Sequence, residues 1–140
     1  MAEAGEVAWK SEEIPDPDLL YLRVHFQNIR GEDLIPAAFQ PRDGGVSTNW
    51  SKYADPETTR QQIALHPING KFRDPKNYAV AGFQSGSVRQ VPSVEVKHTP
   101  RPENRAHTDI TFDLASEEEF RVKLSRIPFR WFIKLETTRN

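Results

Sequence analysis

The chain has 140 residues and a mass of 16.1 kDa, a length typical of one domain. It contains no cysteine, which excludes disulfides, thiolate metal ligands and a cysteine nucleophile. No apolar run approaches the length of about 20 residues that a transmembrane helix needs, so we expect no membrane span. Because the opening segment MAEAGEVAWK lacks the basic and apolar regions of a signal peptide, we expect a cytoplasmic protein.

The formal net charge is -1 at pH 7, but acidic and basic residues are concentrated at opposite ends of the chain. Residues 1–18 are strongly acidic, whereas residues 121–140 are strongly basic. A basic end can bind nucleic acid, and an acidic segment can mask it. The alternative to nucleic-acid binding is a solvated helix face followed by an edge strand, in which Lys and Arg prevent aggregation with other chains. No recognised nucleic-acid-binding motif accompanies the charge.

The acidic, proline-containing residues 1–17 predict a mobile tail, and residues 18–140 predict a single α+β domain. In the segment LLYLRVHF, apolar residues alternate with polar ones, which is the period of a half-buried strand. We expect its buried face to hold Leu20, Leu22 and Val24.

A turn, a strand and a helix are predicted next along the chain. Gly44 and Gly45 favour a turn, and the segment VSTNW after them predicts a short strand. Asp55 can cap the start of a helix, and Pro56 suits its first position. The sequence therefore predicts a helix that ends at His66.

Four more strands are predicted, in the segments YAVAGFQ, VEVKHT, HTDITFDL and FRWFIKLE. The segment YAVAGFQ has an alternative interpretation, as a stretch that leads into a short helix at SGSVRQV. Ser116 and Glu119 have the spacing of a capping box, which predicts a helix over residues 117–126. The fold predicted from all these elements is α+β: a mostly antiparallel, partly irregular sheet of five or six strands, with two short helices and long loops.

Two polar clusters lie on or beside predicted strands. Arg23 and His25 share one strand face and can hold a phosphate, with His25 also a candidate acid or base near neutral pH. Ser47 and Thr48 follow the Gly-Gly turn and can bind an oxyanion or position a ribose. The alternatives are an ordinary exposed sheet face for the first cluster and a simple hairpin turn for the second.

A third cluster, PENRAHTD, combines a rigid proline with several functional side chains. His107 and Asp109 share a strand face and can form an oriented acid–base pair, or two metal ligands. Asn104 and Arg105 lie in the preceding loop and are candidate substrate-binding residues. The alternative is that these side chains only satisfy backbone groups in a tight loop.

These clusters lead to a hypothesis of a phosphate- or nucleotide-directed site. The candidate catalytic residues are His107, Asp109 and His25. The candidate substrate-binding residues are Arg23, Ser47, Thr48, Asn104 and Arg105. The scattered histidines predict no metal site, and no motif names a cofactor or reaction.

The possible ligands are a nucleotide, an RNA or another nucleic acid, and an anionic peptide. The alternative function is a non-catalytic interaction subunit of a multi-protein bacterial system. In that case Trp9, Trp50 or Trp131 is expected to anchor a protein partner.

In chain order the sequence contains five notable segments: YLRVH, IPAAFQ, DGGVSTNWSKY, ETTR and PENRAH-x-x-I. Their order resembles that in a group of short, uncharacterised bacterial proteins. Members of that group share an early Arg-x-His, an AAF segment, a Gly-x-Ser turn and a late Pro-x-Asn-x-Ala-His. The resemblance covers about residues 20–112 and implies a bacterial or phage origin and a cytoplasmic setting. It carries no mechanism.

A looser similarity is to the ADP-ribosyltransferase fold, in which a strand with Arg or His precedes a Ser-Thr-Ser strand and a later catalytic Glu. The similarity gives the first role to Arg23 or His25, and the second to Ser47 and Thr48. Asn49 stands in place of the last Ser. The Glu-x-Glu at positions 117 and 119 is explained by helix capping, so it does not supply the third role.

Overall fold

A computed structural model describes residues 9–42 and 44–135 of the chain. In this part of the chain there are eight strands: β1 (Leu19–His25), β2 (Ile29–Arg30), β3 (Asp33–Leu34), β4 (Val46–Trp50), β5 (Tyr78–Gln84), β6 (Glu95–His98), β7 (His107–Thr111) and β8 (Arg130–Ile133). The α-helices of the same residues are α1 (Pro56–Gln61), α2 (Ser85–Arg89) and α3 (Glu117–Ser125). None of these helices has the length and apolar character needed to cross a membrane.

Six of the strands form one antiparallel sheet in the order β6-β7-β4-β1-β5-β8, and β2 pairs with β3 separately. The predicted α+β class and the six-stranded sheet are confirmed. Helices α1 and α3 lie within the two predicted helices, but α1 ends at Gln61 and a 3-10 turn over residues 62–65 continues it to His66. The third helix, α2, occupies the segment for which a short helix was the alternative.

One face of the sheet packs against α2, α3 and the 3-10 turn over residues 36–38. The predicted alternation in β1 is confirmed, because Leu20, Leu22 and Val24 all belong to this core. The core also contains Phe120 and Leu124 of α3, and Ile127, which follows the helix.

The opposite face of the sheet is polar and is partly covered by α1. Register places the functional side chains there, because Tyr21 pairs with Asn49 and Asn49 pairs with His107. Alternation along β1 and β4 then places Arg23 and Ser47 on the same face. The sheet therefore gathers polar residues that lie far apart in the sequence.

The predicted capping box at α3 is wrong, although the helix begins at residue 117. Ser116 makes no side-chain hydrogen bond at the cap, because it belongs to a 3-10 turn over residues 114–116 that runs into the helix. Asp113 caps that turn, accepting a hydrogen bond of 3.0 Å from the Ala115 amide.

Residues 9–17, which the sequence assigns to the N-terminal tail, lie against the domain. Ile14 is 3% exposed and belongs to the core. The Ser11 hydroxyl donates to the His98 carbonyl at 2.6 Å, and the Glu12 amide donates to His98 Nδ1 at 3.0 Å. A single buried isoleucine among acids and prolines gives no periodic signal, so sequence alone does not predict this packing. Residues 1–8 lie outside the described part of the chain.

We predict that Ile14→Val lowers the free energy of unfolding by about 1 kcal/mol, because the deleted methylene leaves a small cavity in the core. Leu114→Ala is the control, since Leu114 is 51% exposed, and it is expected to change stability by less than about 0.5 kcal/mol. Urea denaturation of both variants measures the difference. Equal stability of Ile14→Val and wild type would show that residues 9–17 do not pack on the domain in solution.

Candidate functional site

A cavity of about 510 Å³ opens beside the polar face of the sheet. Side chains of β1, β4 and β7 line it, together with residues after α1 and in the loop before β7. Most of the predicted site residues meet here: Arg23, His25, Ser47, Thr48, Asn104 and His107. The topology thus brings all three sequence clusters to one place.

The other two predicted site residues, Arg105 and Asp109, do not line the cavity. The Arg105 guanidinium lies between the rings of Trp9 and Tyr53, 4.2 Å and 4.1 Å from their centroids. It holds the N-terminal segment on the domain and does not face the cavity. Asp109 accepts a hydrogen bond of 3.0 Å from the Thr99 hydroxyl.

Arginine dominates the charge of the cavity. Among the described residues, Arg23, Arg42, Arg73 and Arg101 line it, and no carboxylate does. The four side chains come from β1 and from three separate loops, so no single stretch of sequence reveals the cluster. Such a concentration of guanidinium groups in one concavity favours an anion, because each offers fixed N–H donors to phosphate or carboxylate oxygens.

Arg23 lies on β1, the strand at the centre of the sheet, and is partly buried. Its burial, together with the nearby positive charges of Arg73 and Arg42, lowers its pKa to about 10. Arg23 Nη1 donates to the Thr59 carbonyl at 3.1 Å, and no carboxylate pairs with it within the described residues. A buried cation without an anionic partner is costly, so this position is stabilised when an anion enters.

An amide network fixes the wall of the cavity. Asn49 is 2% exposed, and its Nδ2 donates to Thr59 Oγ1 at 3.0 Å and to Gln62 Oε1 at 2.7 Å. Its Oδ1 accepts from Asn104 Nδ2 at 2.8 Å. Asn104 Oδ1 in turn accepts from the Ala106 amide at 3.2 Å. The network joins α1, β4 and the loop before β7, so Asn104 acts here chiefly as a brace for the loop.

His107 and Ser47 face each other across neighbouring strands. His107 Nε2 lies 3.3 Å from Ser47 Oγ, and Nδ1 contacts the Thr99 hydroxyl at 3.0 Å and the Thr99 carbonyl at 3.1 Å. Asp109 Oδ1 lies 4.0 Å from Nε2, too far for a direct hydrogen bond. Thr99 therefore orients the ring, whereas the sequence analysis expects Asp109 to do so.

His25 is held differently from His107. Its Nδ1 accepts a hydrogen bond of 3.1 Å from the Gln27 amide, which caps the 3-10 turn over residues 26–28. The ring also lies against Tyr78, with centroids 5.2 Å apart. In the neutral ring the proton then resides on Nε2, so His25 carries an N–H group and not a lone pair at that atom.

Four basic residues of the lining were not predicted as site residues: Arg42, Arg73, Arg101 and His66. They lie in loops that carry turn residues but no periodic pattern. The one signal in the sequence is the excess of basic residues after the acidic N-terminal segment, which does not show where the bases converge.

Among the described residues near the C-terminus, several basic side chains contact a carboxylate or a ring of this chain. Lys123 pairs with Glu119 at 2.9 Å, and Lys134 Nζ lies 3.5 Å from Glu32. Arg130 lies over the Phe132 ring, 4.9 Å from its centroid. This surface is therefore less suited to nucleic acid than its composition suggests.

The tryptophans considered as partner anchors are engaged within the chain. Trp50 is 1% exposed, and its Nε1 donates to Asp18 at 2.9 Å. Trp131 Nε1 donates to the Glu32 carbonyl at 3.0 Å, and Trp9 stacks on the Arg105 guanidinium.

We predict that His107 titrates below its ordinary pKa of 6.5. Burial lowers the pKa most, and the positive charge of Arg101 lowers it further, while Asp109 acts in the opposite direction. The unfolded chain therefore takes up this proton first, and stability falls as the pH drops from 6.5 towards the lower pKa of the folded state. NMR titration of the imidazole C–H signals measures the midpoint.

Arg101→Gln is expected to raise the His107 midpoint, because it removes the second largest cause of the shift. A wild-type midpoint at or above 6.5 would contradict the arrangement of charges described for this cavity.

No family model, curated protein or solved structure matches this chain. The two resemblances based on sequence motifs stay predictions. The proposed function therefore rests on the geometry of the cavity.

Proposed function

We propose that the arginine-lined cavity binds a phosphate-bearing small molecule of the nucleotide class. The observation that carries the proposal is the convergence of Arg23, Arg42, Arg73 and Arg101 on one concavity whose described lining holds no carboxylate. Guanidinium groups bind phosphate oxygens in bidentate geometry and keep their charge at physiological pH. Arginines from four separate segments suit a ligand with more than one phosphoryl group better than a single small anion.

The size and the remaining lining of the cavity support an organic ligand. A volume of about 510 Å³ lies within the range of roughly 300–1,000 Å³ typical of small-molecule sites. Apolar surface from Ile63, Leu65, Ile68 and Tyr78 lies beside the arginines. A base or a sugar can pack on that surface while the phosphates meet the guanidinium groups. A nucleotide ligand also fits the cytoplasmic location that the sequence predicts.

Isothermal titration calorimetry tests the proposal with three probes: ADP, adenosine and inorganic phosphate. We expect ADP to bind with one site per chain, phosphate to bind more weakly, and adenosine to give no measurable heat. Because the interaction is between charges, the affinity for ADP is expected to fall when the ionic strength rises.

Two outcomes would contradict the proposal. The first is the absence of binding by both ADP and phosphate. The second is equal affinity for adenosine and ADP, since recognition would then not depend on the phosphates.

A further inference from the structure

The hydrogen bonds around His107 define which ring nitrogen carries the proton. The Thr99 carbonyl only accepts, so its contact of 3.1 Å with Nδ1 requires a proton on Nδ1. The Thr99 hydroxyl donates its proton to Asp109 at 3.0 Å and is left to accept from Nδ1 as well. In the neutral ring Nε2 therefore has a free lone pair.

That lone pair is directed at Ser47. Nε2 lies 3.3 Å from Ser47 Oγ, so the hydroxyl donates to the ring. A serine hydroxyl bonded to a neutral imidazole, which is itself held by a third group, is the arrangement of an activated nucleophile, and such contacts are often long in structures without substrate. Both side chains line the cavity that holds the arginine cluster.

We propose that Ser47 is a nucleophile for phosphoryl transfer and that His107 is its proton acceptor, an inference that rests on the proposed phosphate-binding function. In the first step Ser47 Oγ forms a bond to phosphorus and its proton moves to His107 Nε2. The bond from phosphorus to the leaving-group oxygen breaks, and that oxygen takes the proton from Nε2. The product is a phosphoserine at position 47 and a free alcohol or nucleoside phosphate.

In the second step water attacks the phosphoserine and gives its proton to His107 Nε2. The bond from phosphorus to Ser47 Oγ breaks, Ser47 recovers the proton, and inorganic phosphate leaves. The arginines that line the cavity stabilise the negative charge on the transferred phosphoryl group in both steps. Burial and the neighbouring Arg101 lower the pKa of His107, which keeps the ring neutral and ready to accept a proton at pH 7.

The test uses 4-nitrophenyl phosphate and ADP as phosphoryl donors for the full chain. We expect release of 4-nitrophenolate from the first donor. Peptide mass spectrometry of acid-quenched protein is expected to find phosphate on Ser47 with at least one of the two. Ser47→Ala is expected to abolish both signals, and His107→Gln to slow nitrophenolate release by about 100-fold or more.

Two controls separate catalysis from folding and binding. Ser87→Ala changes a serine in α2, outside the cavity, and is expected to behave as wild type. Ser47→Ala is expected to keep the Tm of wild type and to bind ADP measurably in calorimetry, because the arginines are unchanged.

The outcomes distinguish this inference from the proposed function. Wild-type protein that binds ADP but neither releases nitrophenolate nor carries phosphate on Ser47 overturns the nucleophile and leaves the binding function standing. Turnover that persists in Ser47→Ala, or phosphate found on another residue, also overturns it. Failure of ADP and phosphate to bind at all removes the proposed function on which the step depends.

Discussion

Arg23→Met is expected to weaken ADP binding by about 100-fold or more, because truncating one partner of a buried charge pair costs about 2–5 kcal/mol. Arg23 lies on the strand at the centre of the sheet, and its burial lowers its pKa. Methionine keeps much of the side-chain volume and removes the charge. Since that charge has no carboxylate partner within the described residues, its loss is expected not to lower the Tm of the free protein.

The control is Arg126→Met, at an exposed arginine that follows α3. It is expected to leave both ADP affinity and Tm unchanged. Calorimetry gives the affinity, and differential scanning fluorimetry gives the Tm. If Arg23→Met binds ADP as tightly as wild type does, the ligand does not reach the cavity. A lower Tm would show that Arg23 serves mainly to hold α1 through Thr59.

Asn49→Ala is expected to lower the free energy of unfolding by about 3 kcal/mol, since it leaves several buried polar groups without partners. The change removes the donor to Gln62 and Thr59 and the acceptor for Asn104. Because the network holds the loop before β7 in place, ADP affinity is expected to fall as well. Urea denaturation and calorimetry measure the two effects.

Gln90→Ala removes an exposed amide after α2 and is expected to change neither quantity. Asn104→Ala removes the bond to Asn49 and the bond from the Ala106 amide, and leaves the link between β4 and α1 intact. Its destabilisation is expected to be smaller than that of Asn49→Ala. Equal stability of Asn49→Ala and wild type would mean that the network does not support the wall of the cavity.

The strands could be predicted from sequence because alternation follows directly from the geometry of a sheet with one buried face. In β1, the positions of Leu20, Leu22 and Val24 determine which way Arg23 and His25 point, so those two residues could be assigned to a polar face. The same reasoning places His107 on one face of its strand, whereas Ser47 is singled out because it follows the Gly-Gly turn. Their meeting in one cavity could not be predicted, because the strand order that brings them together depends on long-range pairing.

The loop residues could not be predicted because their positions depend on contacts and not on a period. Arg73 lies in the loop after α1, where its Nε donates to the His66 carbonyl at 2.6 Å. Arg101 is placed by backbone hydrogen bonds with Asn104. Arg105, two residues before His107, has a conspicuous position in the sequence, yet the ring contacts of Trp9 and Tyr53 hold it outside the cavity.

The most direct test of the phosphate site is an NMR titration of the imidazole signals with ADP at pH 7. Three histidines line the cavity, namely His25, His66 and His107. The fourth, His98, lies on the edge strand β6, where its ring contacts the Glu12 amide and the Arg105 carbonyl. His98 is therefore an internal control in the same sample. We expect the signals of His66 and His107 to move towards those of the protonated ring, the His25 signal to shift, and the His98 signal to stay in place. No movement of the three cavity histidines at saturating ADP, or movement of His98 alone, would contradict the proposed site.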